Sequence, residues 1–512
     1  MLKKKYVFAA IAGLLVITAG ILAAVYLNGR KHEEAPPLAL EADNNIQTDL
    51  PEAGICFVFN TKRPDNAAEV LGELEKKAKS ELNIKLYFEF YEAGADTFLN
   101  ATNSATASGE SFDGFYYPYE YPDQLISMAE NDQLTDLTDL FQKCAPTYYN
   151  MLSDEELKSV SVNNRIYAMP RVYHSAKILS ALVRDDLMQK YNIPEIKSYA
   201  DYELYLKAVK ENEKDITPMA IRDTTIGLFA QPNGYVTLDY RQGLVYKWDD
   251  PEMKITAWEQ TQEFAGCVEK INSWFTKGYL TKDAPVMQLD SGAIGSGRWA
   301  SVISYYGDEI SYNTALKDNG ISWSYKAYPL NTDQPSEMNS MVNGAIAIPK
   351  ASKNAERVLM FMNWLYSSQE NYDALMYGIE GKTYTLKNDK VNIPDGIKLS
   401  NSCLNWGWRS AFLNEKLERG NMMLSKDTLD GYFENIKKLA KFAPHAGFMP
   451  DYTSVKNIAN NREISFYAMD RAVYMGQYKK EDVDKYVKEQ KDYGVDSLVA
   501  EIQKQLNDWK AK

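Results

Sequence analysis

The chain has 512 residues, too many for one small core, so two domains or one large two-lobed body is expected. It is 45% hydrophobic and 25% charged, the composition of an ordinary globular protein. Its 70 Asp plus Glu against 57 Lys plus Arg leave a net charge of −13, which argues against nucleic acid as a partner and against tight docking on anionic lipid.

The first element stands apart from the rest. Lys3, Lys4 and Lys5 precede an apolar run over residues 6–27. A run of roughly 20 apolar residues crosses a bilayer as a helix, and a basic cluster ahead of it stays cytoplasmic. Arg30 and Lys31 blur that charge bias, but everything after Gly29 is expected to be exported. The run reads either as an uncleaved anchor, which its length favours, or as a signal peptide with a cleavage site among Ala19, Gly20, Ala23 and Ala24. No cysteine follows it, so a lipid-attachment site is absent. Residues 1–29 are assigned to this segment. Residues 30–52, which carry Pro36, Pro37 and Pro51, are assigned to a flexible linker.

The body opens with a short apolar strand at residues 55–59. Ala67, Val70, Leu71, Leu74 and Ala78 then share one face of a helix over 64–82, and residues 84–90 alternate as a second strand. This is a β-α-β unit, whose strands run parallel with a right-handed crossover. Ligands in such sheets bind beyond the carboxyl ends of the strands, which points to Asn60, Thr61, Tyr91 and Glu92. A third strand at 112–116 puts Asp113, Tyr116 and Tyr117 at the same rim. Residues 165–169 and 178–183 read as strands. Asp185 and Asp186 open a helix, where acidic side chains complement the helix dipole. Amphipathic helices follow over 198–212 and 257–275. The glycines of 292–297 make a tight turn rather than a phosphate loop, because no GKS or GKT follows them. Residues 299–306 and 344–349 are strand-like, and 354–366 is a helix. In the last helix, 495–509, Val495, Leu498, Val499, Ile502, Leu506 and Trp509 form one stripe that packs onto a lobe.

Few residue patterns carry bond-making chemistry. Cys56, Cys144, Cys267 and Cys403 are far apart and lack metal spacing. Export permits a disulfide among them, but the pairing is not legible. His32, His174 and His445 stand apart from other candidate ligands, which excludes a histidine-based zinc site. There is no G-x-S-x-G elbow, no H-E-x-x-H and no EF-hand loop. A glycosidase needs two carboxylates flanking the bond. Glu380 near Trp406 is castable as one, yet nothing singles out a pair. Tyrosine stands out, with 36 residues beside 9 Trp and 18 Phe. Most serve amphipathic packing, while a handful suit a site for sugars, whose rings have an apolar face that stacks on aromatics.

Several stretches carry a resemblance. They are Asn164-Arg165-Ile166-Tyr167-Ala168-Met169-Pro170; Val183-Arg184-Asp185-Asp186-Leu187 with Tyr191-Asn192-Ile193-Pro194; Ser352-Lys353-Asn354-Ala355-Glu356-Arg357; Tyr377-Gly378-Ile379-Glu380-Gly381-Lys382-Thr383-Tyr384; and the tail from Tyr493-Gly494-Val495-Asp496 through Gln505-Leu506. In order and spacing, over residues 53–512, they resemble the family 1 extracellular solute-binding proteins of bacterial ABC importers. The closer likeness is to the long lipoprotein-type members of Gram-positive Firmicutes, which carry an extra C-terminal domain of unknown function. The chain departs from that pattern in lacking the lipobox cysteine, in Thr383 where His is usual, and in Asn164 where Gly is usual.

The resemblance implies an α/β, two-lobed periplasmic-binding-protein-like fold of type II, preceded here by the N-terminal transmembrane or signal helix. It implies interleaved lobes over 53–440 and a C-terminal helical extension over 441–512. The cleft between the lobes holds a small polar ligand, the closed form docks on an ABC permease, no cofactor is used and no bond is made or broken. Candidate cleft residues are Asp113, Tyr116 and Tyr117 on the first lobe, Trp299, Tyr305, Trp406 and Trp408 for stacking, and Glu380 and Arg409 for gripping hydroxyls or a carboxylate. Core packing is the competing role for each Trp, and a structural ion pair for Glu380 and Arg409. The leading expectation is a membrane-tethered binding protein for oligosaccharide import, outside the cytoplasm. Alternatives are a ligand sensor or adhesin without a permease, and a secreted glycan-active enzyme.

Overall fold

The computed structural model describes residues 49–110, 112–116, 122–221, 225–280, 291–330, 332–339, 344–397, 404, 406–420 and 424–511. The N-terminal apolar run, Tyr117 and Cys403 lie outside these. No helix among the described residues is long and apolar enough to cross a membrane.

In chain order, the elements that position the site are β1 (Ala53–Phe59), α1 (Ala67–Leu82), β2 (Ile84–Phe90), β3 (Gly114–Tyr116), β4 (Ala168–Met169), β5 (Leu179–Arg184), β6 (Ala220–Ile221), β7 (Tyr235–Asp239), β8 (Leu244–Lys247), β9 (Thr256–Ala257), β10 (Ser301–Tyr305), β11 (Tyr325–Pro329), β12 (Ser336–Glu337) and β13 (Ile346–Ala347). They continue with α2 (Ala355–Ser367), α3 (Gln369–Met376), α4 (Trp406–Arg409), α5 (Lys426–Leu439), β14 (Ala440–Lys441), α6 (Lys456–Tyr474), α7 (Lys480–Asp492) and α8 (Val495–Lys510).

The β-α-β unit forms as its periodicity requires. β1 pairs in parallel with β2 along its whole length, from Ala53 opposite Ile84 to Phe59 opposite Phe90. Between them α1 buries Ala67, Val70, Leu74 and Ala78 and ends at Asn83 in the left-handed region. An asparagine adopts that conformation at small cost and so stops the helix. The first sheet has the order β2-β1-β3-β13-β4, with β3 parallel to β1 and β13 antiparallel to both its neighbours. The second has the order β11-β5-β10-β6, with β5 antiparallel to β10 and β11, and β10 parallel to β6. Each sheet has its own apolar core. These are two α/β lobes, and the chain crosses between them three times: after β4, after β11 and after α5.

Some elements are shorter than their sequence patterns suggest. β3 starts at Gly114, because the backbone N–H and the carboxylate of Asp113 both bond to Cys56 ahead of it. The stretch 165–169 splits into a hairpin strand and β4. β10 starts at Ser301, leaving Trp299 outside the strand. A third sheet, β9-β8-β7, has no clear signature in the sequence. It carries the C-terminal extension. Val236, Leu244 and Tyr246 of this sheet share one core with Phe448, Leu498, Ile502 and Leu506. The apolar stripe of α8 therefore packs on the second lobe.

α6 is held to that lobe by a buried ion pair. The Arg462 guanidinium donates to both carboxylate oxygens of Glu259, at 2.8 and 2.9 Å, to Gln242 O at 2.6 Å and to Gln490 Oε1 at 3.1 Å. Four hydrogen bonds meet the requirement that buried charges be paired and satisfied. Gly243 in the β7–β8 turn has φ +60, and a Cβ there would lie 2.5 Å from the Phe466 ring. Gly243→Ala therefore has to strain the turn and displace α6. It is expected to cost about 2 kcal/mol, read as a lower urea midpoint; an unchanged midpoint would contradict this packing.

Candidate functional site

Strand direction decides which side chains face the space between the lobes. The first crossing leaves β4 at Met169, and Met169 and Tyr116 both pair with Ile346, the first residue of β13 after the second crossing. The carboxyl ends of β1, β2, β3 and β4 therefore all point at the second lobe. On that lobe Leu179, the first residue of β5 after the crossing, lies opposite Tyr305, and Ser180 lies opposite Pro329. The carboxyl ends of β10 and β11 point back at the first lobe, as does that of β6, which is parallel to β10. Two sets of carboxyl ends thus face one another across the crossings, the arrangement in which open α/β sheets bind ligands.

This geometry sorts the candidate residues. Tyr116 ends β3 and Tyr305 ends β10, so both half-buried tyrosines stand at the rim, one on each lobe. Asn60 and Tyr91 share the rim: the Asn60 Oδ1 accepts from Ala93 N at 3.2 Å, and Tyr91 N donates to Phe59 O at 2.9 Å. Asp113 does not belong there. It precedes β3, about 10 Å from Tyr116 along the strand. Its carboxylate accepts from Cys56 N at 2.9 Å, Ser352 Oγ at 2.6 Å and Asn354 Nδ2 at 3.2 Å, which fastens β1 to the start of α2. Trp299 sits at the wrong end of β10, about 20 Å from Tyr305. It is buried in the far core of the second lobe, beneath Arg298.

Trp408 also packs in a core, 1% exposed, edge-on to Phe88 at 5.0 Å and near Phe90 at 5.9 Å. Trp406 opens the same helical turn, α4, which lies over the carboxyl end of β2. Arg409 takes the structural role. Its guanidinium covers the Tyr377 ring at 5.1 Å and donates to Leu404 O at 3.1 Å and Glu418 Oε1 at 3.5 Å. Glu418 also accepts from the hydroxyls of Tyr372 at 2.8 Å and Tyr377 at 3.0 Å. Burial and the Glu418 charge push both phenols well above their usual pKa. Glu380 is exposed on the turn stapled by Thr383, whose hydroxyl accepts from Ile379 N and donates to Tyr377 O, each at 2.7 Å. It lines an open groove of about 570 Å³ on the flank of the first lobe, with Lys76, Lys77, Gln369 and Arg419.

Periodicity missed one aromatic pair. Tyr306, beside Tyr305, stacks on Tyr432 of α5 with centroids 5.4 Å apart and planes 3° from parallel, and Asn435 Nδ2 donates to the Tyr306 hydroxyl at 3.2 Å. The adjacency of Tyr305 and Tyr306 at a strand end was the only local signal. Cys56, Cys144 and Cys267 are free thiols, and no group of three acidic, His or Cys side chains among the described residues is placed to hold a metal ion.

The crossings bond to each other as a ribbon. β12 pairs with β14, Ala176 bridges Met338, and Asn339 N donates to Ser175 O at 2.9 Å. His174 sits where they meet. Its Nδ1 lies 2.9 Å from Glu415 Oε2 and its Nε2 3.2 Å from Glu156 Oε1, while Lys437 of α5 lies 2.6 Å from Glu415 Oε1. Burial alone would lower the imidazole pKa, but the two carboxylates outweigh it and raise it to about 9. Burial likewise opposes ionisation of Glu415, yet its bonds to His174 and Lys437 hold it down at about 2.

The family model described as bacterial extracellular solute-binding protein matches residues 65–372, and one described as a domain of unknown function (DUF3502) matches residues 444–511. A carbohydrate ABC transporter substrate-binding protein from Streptococcus pneumoniae serotype 4 is 24% identical over 527 aligned positions, covering 99% of this chain and 98% of that one. The crystal structure of an N-glycan transport solute binding protein from Streptococcus pneumoniae superimposes with a TM-score of 0.71 at 20% identity, over 90% of this chain and 99% of that one. For the same protein in complex with Man1GlcNAc the TM-score is 0.61 at the same identity, over 90% and 100% of the two chains. The likeness establishes the mixed α/β fold of solute-binding proteins.

The ion cluster at the crossings predicts a pH dependence of stability. A His with a raised folded pKa stabilises fully below about 6.5, and that contribution is lost as pH rises through about 9. It amounts to on the order of 3 kcal/mol. Urea midpoints are expected to fall between pH 7 and 9.5 in the wild type. His174→Gln, already weakened at pH 7, should lack this alkaline decline; an equal slope in both proteins would refute the assignment.

Proposed function

The chain belongs to the bacterial extracellular solute-binding protein family, and we propose that it is the substrate-capturing component of an ABC importer, holding an oligosaccharide between its two lobes. The observation that carries this reading is the pair of opposed carboxyl-end rims, with Tyr116 on one lobe and Tyr305 on the other, joined by a hydrogen-bonded ribbon of three crossings. Sugar rings offer C–H faces to aromatic side chains and hydroxyls to planar polar groups, and this rim presents phenols beside Asn60. Closure about the ribbon would remove water and strengthen those polar contacts. The relatives support the ligand class, since one is named for carbohydrate and another was solved with glycans.

The N-terminal run would tether this body to the outer face of the cell membrane. Capture fits the site better than hydrolysis. Glu418 is tied to Tyr372, Tyr377 and Arg409, and Asp373 to Arg419 at 2.8 Å, while Glu380 lies on the outer flank. None of these carboxylates pairs with another across the rim. A permease that co-purifies with the full-length chain would separate this reading from that of a sensor or adhesin.

Thermal-shift screening tests the ligand class. Oligosaccharides of mannose and N-acetylglucosamine are expected to raise the melting temperature, with about 2.7 kcal/mol of stabilisation at a hundredfold excess over Kd. Tyr116→Ala and Tyr305→Ala should each weaken binding by about tenfold, the worth of one aromatic stack. A protein that responds to peptides and to no glycan would sink the proposal.

A further inference from the structure

The C-terminal domain matches a family whose description assigns no function. Its own contacts suggest one. The segment begins at the hinge: β14 pairs with β12, and just beyond it the half-buried His445 lies with Nδ1 2.7 Å from the Tyr246 hydroxyl of β8. α6 then runs along the second lobe for about 28 Å, burying Ala459, Arg462, Phe466, Met469, Asp470 and Val473 on one face. Three polar anchors mark its course. Gln242 Nε2 donates to Ala459 O at 3.2 Å, Arg462 grips Glu259, and Asp470 reaches Thr225.

The third anchor stands apart in position and in chemistry. Asp470 is 5% exposed, and its Oδ1 accepts both the backbone N–H of Thr225, at 2.9 Å, and the Thr225 hydroxyl. Thr225 is fully buried, and Trp258 Nε1 donates to its Oγ1 at 3.3 Å. Thr225 lies four residues beyond the carboxyl end of β6, the end that points at the first lobe. It leads into Ile226–Ala230, a wholly buried π-helical turn, a geometry that is uncommon and recurs at functional sites. A buried carboxylate is a poor means of adding stability, since its desolvation offsets most of what its bonds return. It is a good means of fixing one backbone position.

We propose that the C-terminal domain is a strut between the hinge and the cleft wall of the second lobe, and that Asp470 is the positioning residue that holds Thr225, and with it the cleft-facing end of β6, in place for the ligand. This rests on the cleft reading above. The strut explains why the domain that follows the ribbon of crossings is fastened to the second lobe by directional bonds, and why its buried helix face carries an acid where an apolar residue would pack.

The test compares Asp470→Ala, Asp470→Asn and Phe466→Leu in the full chain. Phe466→Leu loosens the same helix face without touching Thr225. Affinity for a mannose–N-acetylglucosamine oligosaccharide is measured by calorimetry, and amide hydrogen exchange is followed over residues 225–230. Asp470→Ala is expected to weaken the glycan by about tenfold and to expose those amides. Asp470→Asn, whose amide oxygen still accepts from Thr225 N, should stay within about twofold of the wild type. Phe466→Leu should lower the melting temperature while leaving affinity and exchange at 225–230 unchanged. If Asp470→Ala costs no more affinity than Phe466→Leu at a matched loss of melting temperature, the proposal is overturned. If the wild type binds no glycan, the cleft reading fails by itself. Unaltered exchange at 225–230 in Asp470→Ala would then overturn the strut independently.

Discussion

Three chain crossings lie side by side between the lobes and bond to one another, through β12 with β14, Ala176 with Met338 and Ser175 with Asn339. Because β4 runs into the first crossing and β5 leaves it, that ribbon dictates the sense of every strand around it. The carboxyl ends of β1 to β4 must then face the carboxyl ends of β6, β10 and β11. A residue at the opposite end of the same strand is shut out of the cleft whatever its chemistry. Asp113 and Trp299 are shut out for this reason, while Tyr116 and Tyr305 are admitted by it.

The ribbon is polar where it bends. His174 with Lys437 carries two positive charges against the two buried negative charges of Glu156 and Glu415, so the buried carboxylates are matched, while the exposed Glu434 also lies 3.7 Å from Lys437. A buried set of charges tolerates burial only when each is matched, and matched charges fix geometry more than they add stability. α5 links both sides of this arrangement. It is tied to the first lobe by Lys437 and Glu415 and to the second by the Tyr306–Tyr432 stack. The first link joins charges, one of them buried; the second is a contact of half-buried phenols worth about 0.5–1.5 kcal/mol. The stronger tie keeps α5 with the first lobe and leaves the aromatic contact as the part that a rotation of the lobes can give up.

What the sequence disclosed follows from how far each signal reaches. The β1-α1-β2 unit and the stripe of α8 were legible because their periodicities lie within one element. Length alone pointed to two lobes, but their interleaving was legible only through resemblance, since nothing local reports that residues 53–169 and 346–420 build one lobe. Asp113 was misplaced because its partners Ser352 and Asn354 lie more than two hundred residues away. Trp299 read as the start of a strand, correctly near β10, but a strand pattern has no direction relative to a cleft. α6 was covered only by the helical extension expected over 441–512 and was not picked out as an element. Its buried face carries Arg462 and Asp470, and a charged residue in a helical pattern reads as solvent-facing unless its partner is known. Here the partners, Glu259 and Thr225, belong to another domain.

That blind spot lies where the structure does something other than pack. An apolar stripe, such as that of α8, glues the C-terminal domain to β7–β9 with little directional demand. The polar anchors of α6 are directional, and each ends on a different part of the second lobe: the β7–β8 turn through Gln242, the residues after β9 through Glu259, and the start of the π-helical turn through Thr225. Apolar burial supplies the adhesion, and hydrogen bonds to single atoms supply the registration. A lobe that must present the same rim to its ligand at every closure needs the second as much as the first. The third crossing delivers the C-terminal domain to the face of the second lobe where those atoms can be reached.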